Sequence, residues 1–115
     1  MTDSSSAERA VPVTDVPERH RYEARVAGVA EVAAAYYRLR DGAIVFTHTE
    51  VPPALEGKGV GTAIARYALD DARHRGLAVV PFCPFIAAFI RRHPEYEDLV
   101  DAGAPPQSGD PESGP

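Results

Sequence analysis

The feature that most restricts what this chain can become is the turn Gly57-Lys58-Gly59-Val60-Gly61, three glycines within five residues. Directly after it, Val60, Ala63, Ile64, Tyr67, Ala68 and Ala72 fall at helical spacing and form one apolar stripe. Arg66, Asp70, Asp71, Arg73 and Arg75 take the solvent side, with Asp71 and Arg75 spaced for an i,i+4 ion pair. The pattern predicts a helix from about Gly59 to a stop at Gly76, where a left-handed residue is wanted. The first amides of such a helix lack intrahelical partners, and its macrodipole puts roughly half a positive charge there. Glycines let the backbone curl and approach an anion without Cβ clashes, and Lys58 adds a cation at the rim. The alternative is a flexible strand-to-helix connection. The Walker pattern is absent, since no Gly-Lys-Ser/Thr follows at the required distance. The dinucleotide fingerprint fits poorly too, because the last glycine spacing is too short and hairpin-like strands precede the turn.

Those preceding strands are read from alternation. From His20 to Val26, Tyr22, Ala24 and Val26 share one face while Arg21, Glu23 and Arg25 share the other. Glu31 to Arg40 is Ala-rich, but its centre, Ala35-Tyr36-Tyr37-Arg38-Leu39, suits a pleated surface. Asp41-Gly42 between two apolar runs signals a type I′ hairpin, and Ala43 to Val51 returns as the third antiparallel strand. Pro52-Pro53 stops it. After the helix, Leu77 to Cys83 reads as a short buried strand. Pro84 occupies a first helical position, and Phe85, Ile86, Phe89 and Ile90 make the inner stripe of a second helix ending at His93-Pro94. Tyr96, Leu99 and Val100 are expected to add a last short strand or a docked turn. The fold class is therefore α+β (α/β in the broad sense): antiparallel strands, a strand-loop-helix-strand unit and a second helix.

Composition sets the limits. The chain has 115 residues and a net charge of −5. Residues 1–18 carry Asp3, Glu8, Asp15 and Glu18 against Arg9, and residues 101–115 carry Asp101, Asp110 and Glu112 with no base. Both stretches are rich in Ser, Pro and Gly, so they are expected to be disordered tails around a domain of residues 19–100. That domain keeps 11 Lys+Arg against 10 Asp+Glu, which marks neither a basic nor an acidic nucleic-acid binder. No long apolar run predicts a membrane span and no basic-then-apolar start predicts a secretory signal. Cys83 is alone, which excludes an internal disulfide and a cysteine-built metal site. No metal is expected, and a reduced cytoplasmic setting is.

Glu56-Gly57-Lys58-Gly59-Val60-Gly61, after an antiparallel meander and before an amphipathic helix, resembles motif A of the GCN5-related N-acetyltransferases. Further segments look like a small single-domain branch of that family: Thr47-His48-Thr49-Glu50-Val51-Pro52, Val80-Pro81-Phe82-Cys83-Pro84-Phe85, and Arg91-Arg92-His93-Pro94-Glu95-Tyr96. The resemblance implies an acetyl-CoA pyrophosphate held by Glu56, Gly57, Lys58, Gly59, Val60, Gly61 and Thr62. It also implies a pantetheine arm between two parallel strands that splay apart, pairing with backbone near Glu50 and Val51. One departure is Glu56, where the family usually has Gln or Arg. A carboxylate facing phosphates is repelled, so the Glu56 side chain is expected to point away and leave its backbone to bind.

Acyl transfer to an amine needs a base for the amine and an acid for the leaving thiolate. His48 and Glu50 are two apart on a strand and share a face, and an imidazole can accept a proton near neutral pH. Their bland reading is a surface histidine and a solvated strand end. Cys83, ahead of a helix start, can be an acyl carrier, a proton donor, or an inert core residue. The tyrosine acid of the commoner family members is missing, since the matching pair is Phe89-Ile90. Two functions follow from the resemblance: an acetyl-CoA-dependent N-acetyltransferase acting on a small-molecule or protein amine, or a non-catalytic acyl-CoA-binding sensor or interaction module.

Overall fold

The computed structural model describes residues 11–100. They form a five-stranded mixed sheet, β1 Val13–Val16, β2 Arg21–Ala24, β3 Ala33–Arg40, β4 Ala43–Glu50 and β5 Ala78–Pro81, in spatial order β1-β2-β3-β4-β5. The first four strands pair antiparallel; β4 and β5 are parallel, joined through helix α1, Val60–His74. Helix α2, Pro84–Arg92, follows, and a 3-10 segment, Pro94–Leu99, ends in a single parallel bridge from Val100 to Val79. The hairpin expected at Asp41-Gly42 is present, with both residues at positive φ, 48° and 81°. No helix among the described residues is long and apolar enough to cross a membrane.

The strands read as His20–Val26, Glu31–Arg40 and Ala43–Val51 are each shorter by one to three residues, and two further boundaries differ from the sequence reading. The composition of residues 1–18 suggests a tail, yet Val13–Val16 is an ordered edge strand on β2. Averaging over the Ser- and Asp-rich stretch hides four residues, Val13-Thr14-Asp15-Val16, that pair antiparallel with Arg21–Ala24. Asp15 has a further reason to be fixed, because it accepts a hydrogen bond from the Tyr37 hydroxyl at 2.5 Å. Residues 1–10 and the acidic stretch 101–115 lie outside the described residues. The strand read as Leu77 to Cys83 is shorter, Ala78–Pro81, because Pro81 has no N–H to extend the ladder and Phe82 turns the chain into α2.

Both helices pack on one side of the sheet. Gly61 of α1 sits so close to Phe85 of α2 that an added Cβ would lie 2.8 Å from the ring. Tyr22, Ala24, Ala33, Ala35, Tyr37, Ile44, Phe46 and Val79 face this layer and are nearly inaccessible. Alanines stand on both surfaces, Ala24, Ala33 and Ala35 on the sheet and Ala65, Ala68 and Ala72 on α1, so helix and sheet can approach closely. The other face carries Arg21, Glu23, Tyr36, Arg38, Val45, His48 and Glu50, and among the described residues no helix covers it.

One polar cluster fastens sheet to helix. The Tyr22 hydroxyl donates to Asp71 at 2.7 Å, Tyr37 donates to Asp15, and Arg75 reaches Asp71 at 3.3 Å and Asp15 at 3.5 Å. Burial, then the adjacent carboxylates, pushes both phenols well above their ordinary range, so both stay protonated donors. Asp15→Ala leaves Tyr37 without its acceptor. It should cost about 1–3 kcal/mol in urea denaturation, a buried donor left unsatisfied, whereas a residue of a loose tail would cost nothing.

Candidate active site

β4 and β5 stay together only part of their length. Their ladder runs from Ala43↔Ala78 to Phe46↔Pro81, and the Cys83 N–H then donates to the Phe46 carbonyl at 2.9 Å. Beyond that bond β4 continues to Glu50, while the chain after β5 turns away as α2, with Pro84 at its first position. The strands part because proline and a helix start cannot continue a ladder. This leaves the β5-side edge of β4 open from Thr47 onward.

The glycine turn borders the same opening. Gly57 and Gly59 take positive φ, 78° and 75°, which lets the chain reverse from the 3-10 turn Pro53–Leu55 into α1. The first backbone hydrogen bond of α1 runs from the Ala63 N–H to the Gly59 carbonyl, and no side chain caps the helix. The amides of Val60, Gly61 and Thr62 therefore have no intrahelical acceptor. A cavity of about 280 Å³ lies over them, walled by Val51, Leu55, Val60, Thr62 and Phe85, with Glu56, Gly57, Gly59 and Gly61. A Cβ built on Gly57 or Gly59 would meet nothing within 4 Å, so the glycines face open space. This is a fit for an anion with an apolar-sided arm. Of the sequence-predicted cofactor residues, Lys58 is exposed and outside this wall. Glu56 is exposed as well, and its N–H is already given to the Pro53 carbonyl at 3.2 Å, so its amide is not spare. A larger hollow of about 370 Å³, between the start of β1 and Ala63, Arg66, Tyr67 and Asp70 of α1, shares no residue with this opening.

The expected reactive trio is not one cluster. His48 and Glu50 do meet, Nε2 to Oε2 at 3.0 Å, on the uncovered face, and both are more than half exposed. The His48 ring stacks on Tyr36, centroids 5.8 Å apart. Cys83 is on the helix side, 1% exposed, and its Sγ lies 3.1 Å from Oγ1 of Thr49. Register accounts for the split: Thr49 pairs with Ala35, which faces the helices, while His48 and Glu50 pair with Tyr36 and Ala34 on the other face. Cys83 and the His48–Glu50 pair thus flank β4 from opposite sides, at the level where β5 leaves.

Sequence reasoning gave Thr49 and Phe85 no role in the site. The signal for Thr49 was the same alternation that paired His48 with Glu50, since it puts a hydroxyl among inward-facing positions. The remaining candidates are structural. Phe89 and Ile90 lie in the core, and the buried Tyr96 gives its hydroxyl to Asp70 at 2.8 Å. His93 closes α2 by stacking on Phe89 at 4.0 Å with Nδ1 on the Phe89 carbonyl.

A mixed sheet whose parallel pair parts beside a glycine-turn helix start defines a GNAT-like α+β domain. The chain belongs to the GCN5-related N-acetyltransferase family, whose description "GCN5-related N-acetyl-transferase" matches residues 21–99. It is similar to "Protein NATD1" of Mus musculus, 29% identical over 96 residues that cover 81% of this chain and 87% of the mouse protein. It is also similar to "Protein NATD1" of Bos taurus, 31% identical over 77 residues, 66% of this chain and 68% of the bovine one.

The Thr49–Cys83 contact has a measurable consequence. Thr49→Val keeps the shape and loses the bond to Sγ, so it should lower stability in urea denaturation by about 0.5–1.5 kcal/mol, and Thr49→Ser should recover the loss.

Proposed function

We propose that this domain binds acetyl-CoA over the Gly57–Thr62 turn and transfers the acetyl group to an amine. The observation that carries the reading is the parting of β4 from β5 beside an uncapped helix start. It offers free amides for a pyrophosphate at one end and a free strand edge for an amide-bearing arm at the other. Phe85, Leu55 and Val51 supply apolar walls between them. Acetyl-CoA brings the activated thioester; the rest is done by this chain's own groups.

An arm lying in the gap between β4 and α2 is reachable from both faces of the sheet. His48, held by Glu50 and Tyr36 on the uncovered face, takes the proton that the attacking amine must lose. Cys83, on the helix side with Thr49, gives a proton to the departing CoA sulfur and keeps its negative charge on a sulfur hydrogen-bonded by that hydroxyl. We take Cys83 as the proton donor rather than the acyl carrier, because base and thiol on opposite sides suit one direct displacement. Weaker contacts to phosphate at Glu56 and the absent tyrosine acid are what favour the alternative, a binding module without turnover.

Titration calorimetry with acetyl-CoA tests the first half, and no binding at high micromolar concentration overturns the proposal. Release of CoA thiol across a panel of amines tests the second. His48→Ala should lower turnover about 10²–10³-fold with acetyl-CoA affinity unchanged. Intact mass after mixing with acetyl-CoA should show no acetyl on Cys83; an acetylated Cys83 would convert its role to acyl carrier. Binding without turnover on any amine would leave the acyl-CoA-binding module.

A further inference from the structure

The uncovered sheet face carries opposite charges on β2 and on β4, with Arg38 on β3 between them. At one end stands the His48–Glu50 pair, with the Glu50 carboxylate 60% exposed. At the other end three guanidinium groups share one carboxylate. Arg21 holds Glu23 Oε2 closely, Nη2 at 2.6 Å and Nε at 2.7 Å. Arg25 and Arg19 stand farther off, at 3.6 Å and 3.8 Å, with side chains 64% and 63% exposed. Glu23 is itself only 8% exposed beneath them. One carboxylate offsets one of the three charges, which leaves about two positive charges on a chain whose net charge is −5. The Arg25 and Arg19 guanidiniums retain donors toward solvent for a second anion.

The two ends are joined in register. Arg21 and His48 both lie opposite Tyr36, one strand away on either side. The Arg21 Nη1 donates to the Tyr36 hydroxyl at 2.8 Å, and the Tyr36 ring stacks on His48. Two strand spacings, about 10 Å, separate them, and the same two spacings separate Glu50 from Glu23, the carboxylate that gathers Arg19 and Arg25, since both glutamates lie opposite Ala34. A hollow of about 240 Å³, lined by His20, Tyr36, Tyr37, Arg38 and Thr47, opens beside this row.

We propose that this face selects the acceptor: a polypeptide whose reacting amine sits at His48–Glu50 and which carries a carboxylate about 10 Å away, on Arg19 and Arg25. The proposal rests on the transfer reading and names the substrate class for that same site. An ammonium is drawn to Glu50 and a carboxylate to the arginines, whereas a polyamine or a lysine-rich peptide puts its second cation on the wrong end. An extended chain advances about 3.3 Å per residue, so an acidic residue about three positions from the amine spans the distance. A free α-amino acid is too short for it.

The test uses three peptides of one length with the amine fixed and Glu, Ala or Lys three residues away, each carrying a fluorophore at the far end. Binding is read by anisotropy without acetyl-CoA, and acetylation by mass with it. The Glu peptide should bind about tenfold tighter than the Ala peptide, and the Lys peptide weaker still. The preference should shrink as salt is raised. In the double variant Arg19→Gln, Arg25→Gln the Glu and Ala peptides should become equal, with thermal midpoint and acetyl-CoA affinity unchanged. Equal binding of Glu and Ala peptides to the unaltered protein, or a preference surviving the double variant, overturns the proposal. An acid preference in binding with no acetylation would sink the transfer reading alone; acetylation with no acid preference would sink this one alone.

Discussion

The geometry of the site depends on one backbone hydrogen bond, the Cys83 N–H to the Phe46 carbonyl. It is the last backbone tie between β4 and the chain that follows β5, and past it the two backbones diverge, bridged by the Thr49–Cys83 side-chain contact. Pro81 and Pro84 flank it, so the ladder cannot re-form on the far side. Phe46 and Cys83 are both buried, which keeps the branch point dry and fixed. The opening is therefore a property of rigid elements, and the glycine turn need only present its amides to it.

A second constraint decides which side chains face that opening. Between Tyr36↔His48 and Tyr37↔Phe46 the register shifts, because β4 has one more residue, Thr47, than the facing strand. Without this bulge, strict alternation from Ile44 and Phe46 would put His48 on the helix side. With it, His48 and Glu50 turn to the uncovered face and Thr49 turns inward to Cys83. A single extra residue thus separates the exposed His48–Glu50 pair from a buried thiol while keeping both at the same level of the strand.

This explains what could be read in advance. The antiparallel meander, the Asp41-Gly42 turn, both helices and the Asp71–Arg75 pair follow from local patterns, since each needs only residues a few positions apart. The pairing of His48 with Glu50 needed only the two-residue period. Their separation from Cys83 did not follow, because a bulge is a mismatch between two strands and neither strand shows it alone. β1 was hidden for a related reason: four residues have too little pattern, and Val13–Val16 is held by partners that come later in the chain, Tyr37 and Arg75 through Asp15. The Gly57 and Gly59 conformations were legible, whereas the use of the Glu56 amide by Pro53 depends on a 3-10 turn that Pro52-Pro53 only suggests.

The distribution of fastening is consistent with this division. The Tyr22–Asp71 and Tyr37–Asp15 bonds, with Arg75 between the carboxylates, bind sheet to the C-terminal part of α1. Arg73 adds the Asp98 carboxylate at 2.9 Å and the Glu95 carbonyl at 2.8 Å, holding the 3-10 segment to the same end of the helix. At the N-terminal end of α1 the polar groups are instead left open: uncapped amides, two glycines at positive φ, and a strand edge without a partner. A helix anchored at one end by charge and along its length by Val60, Ile64, Ala68 and Ala72 can keep its other end unsatisfied without fraying into the cavity. Unsatisfied amides held by a rigid core are already oriented for an anion, so binding one costs little further ordering. The small size of the domain then has a physical meaning. With both helices on one face, the His48–Glu50 pair stands on the face that no described helix covers, more than half exposed.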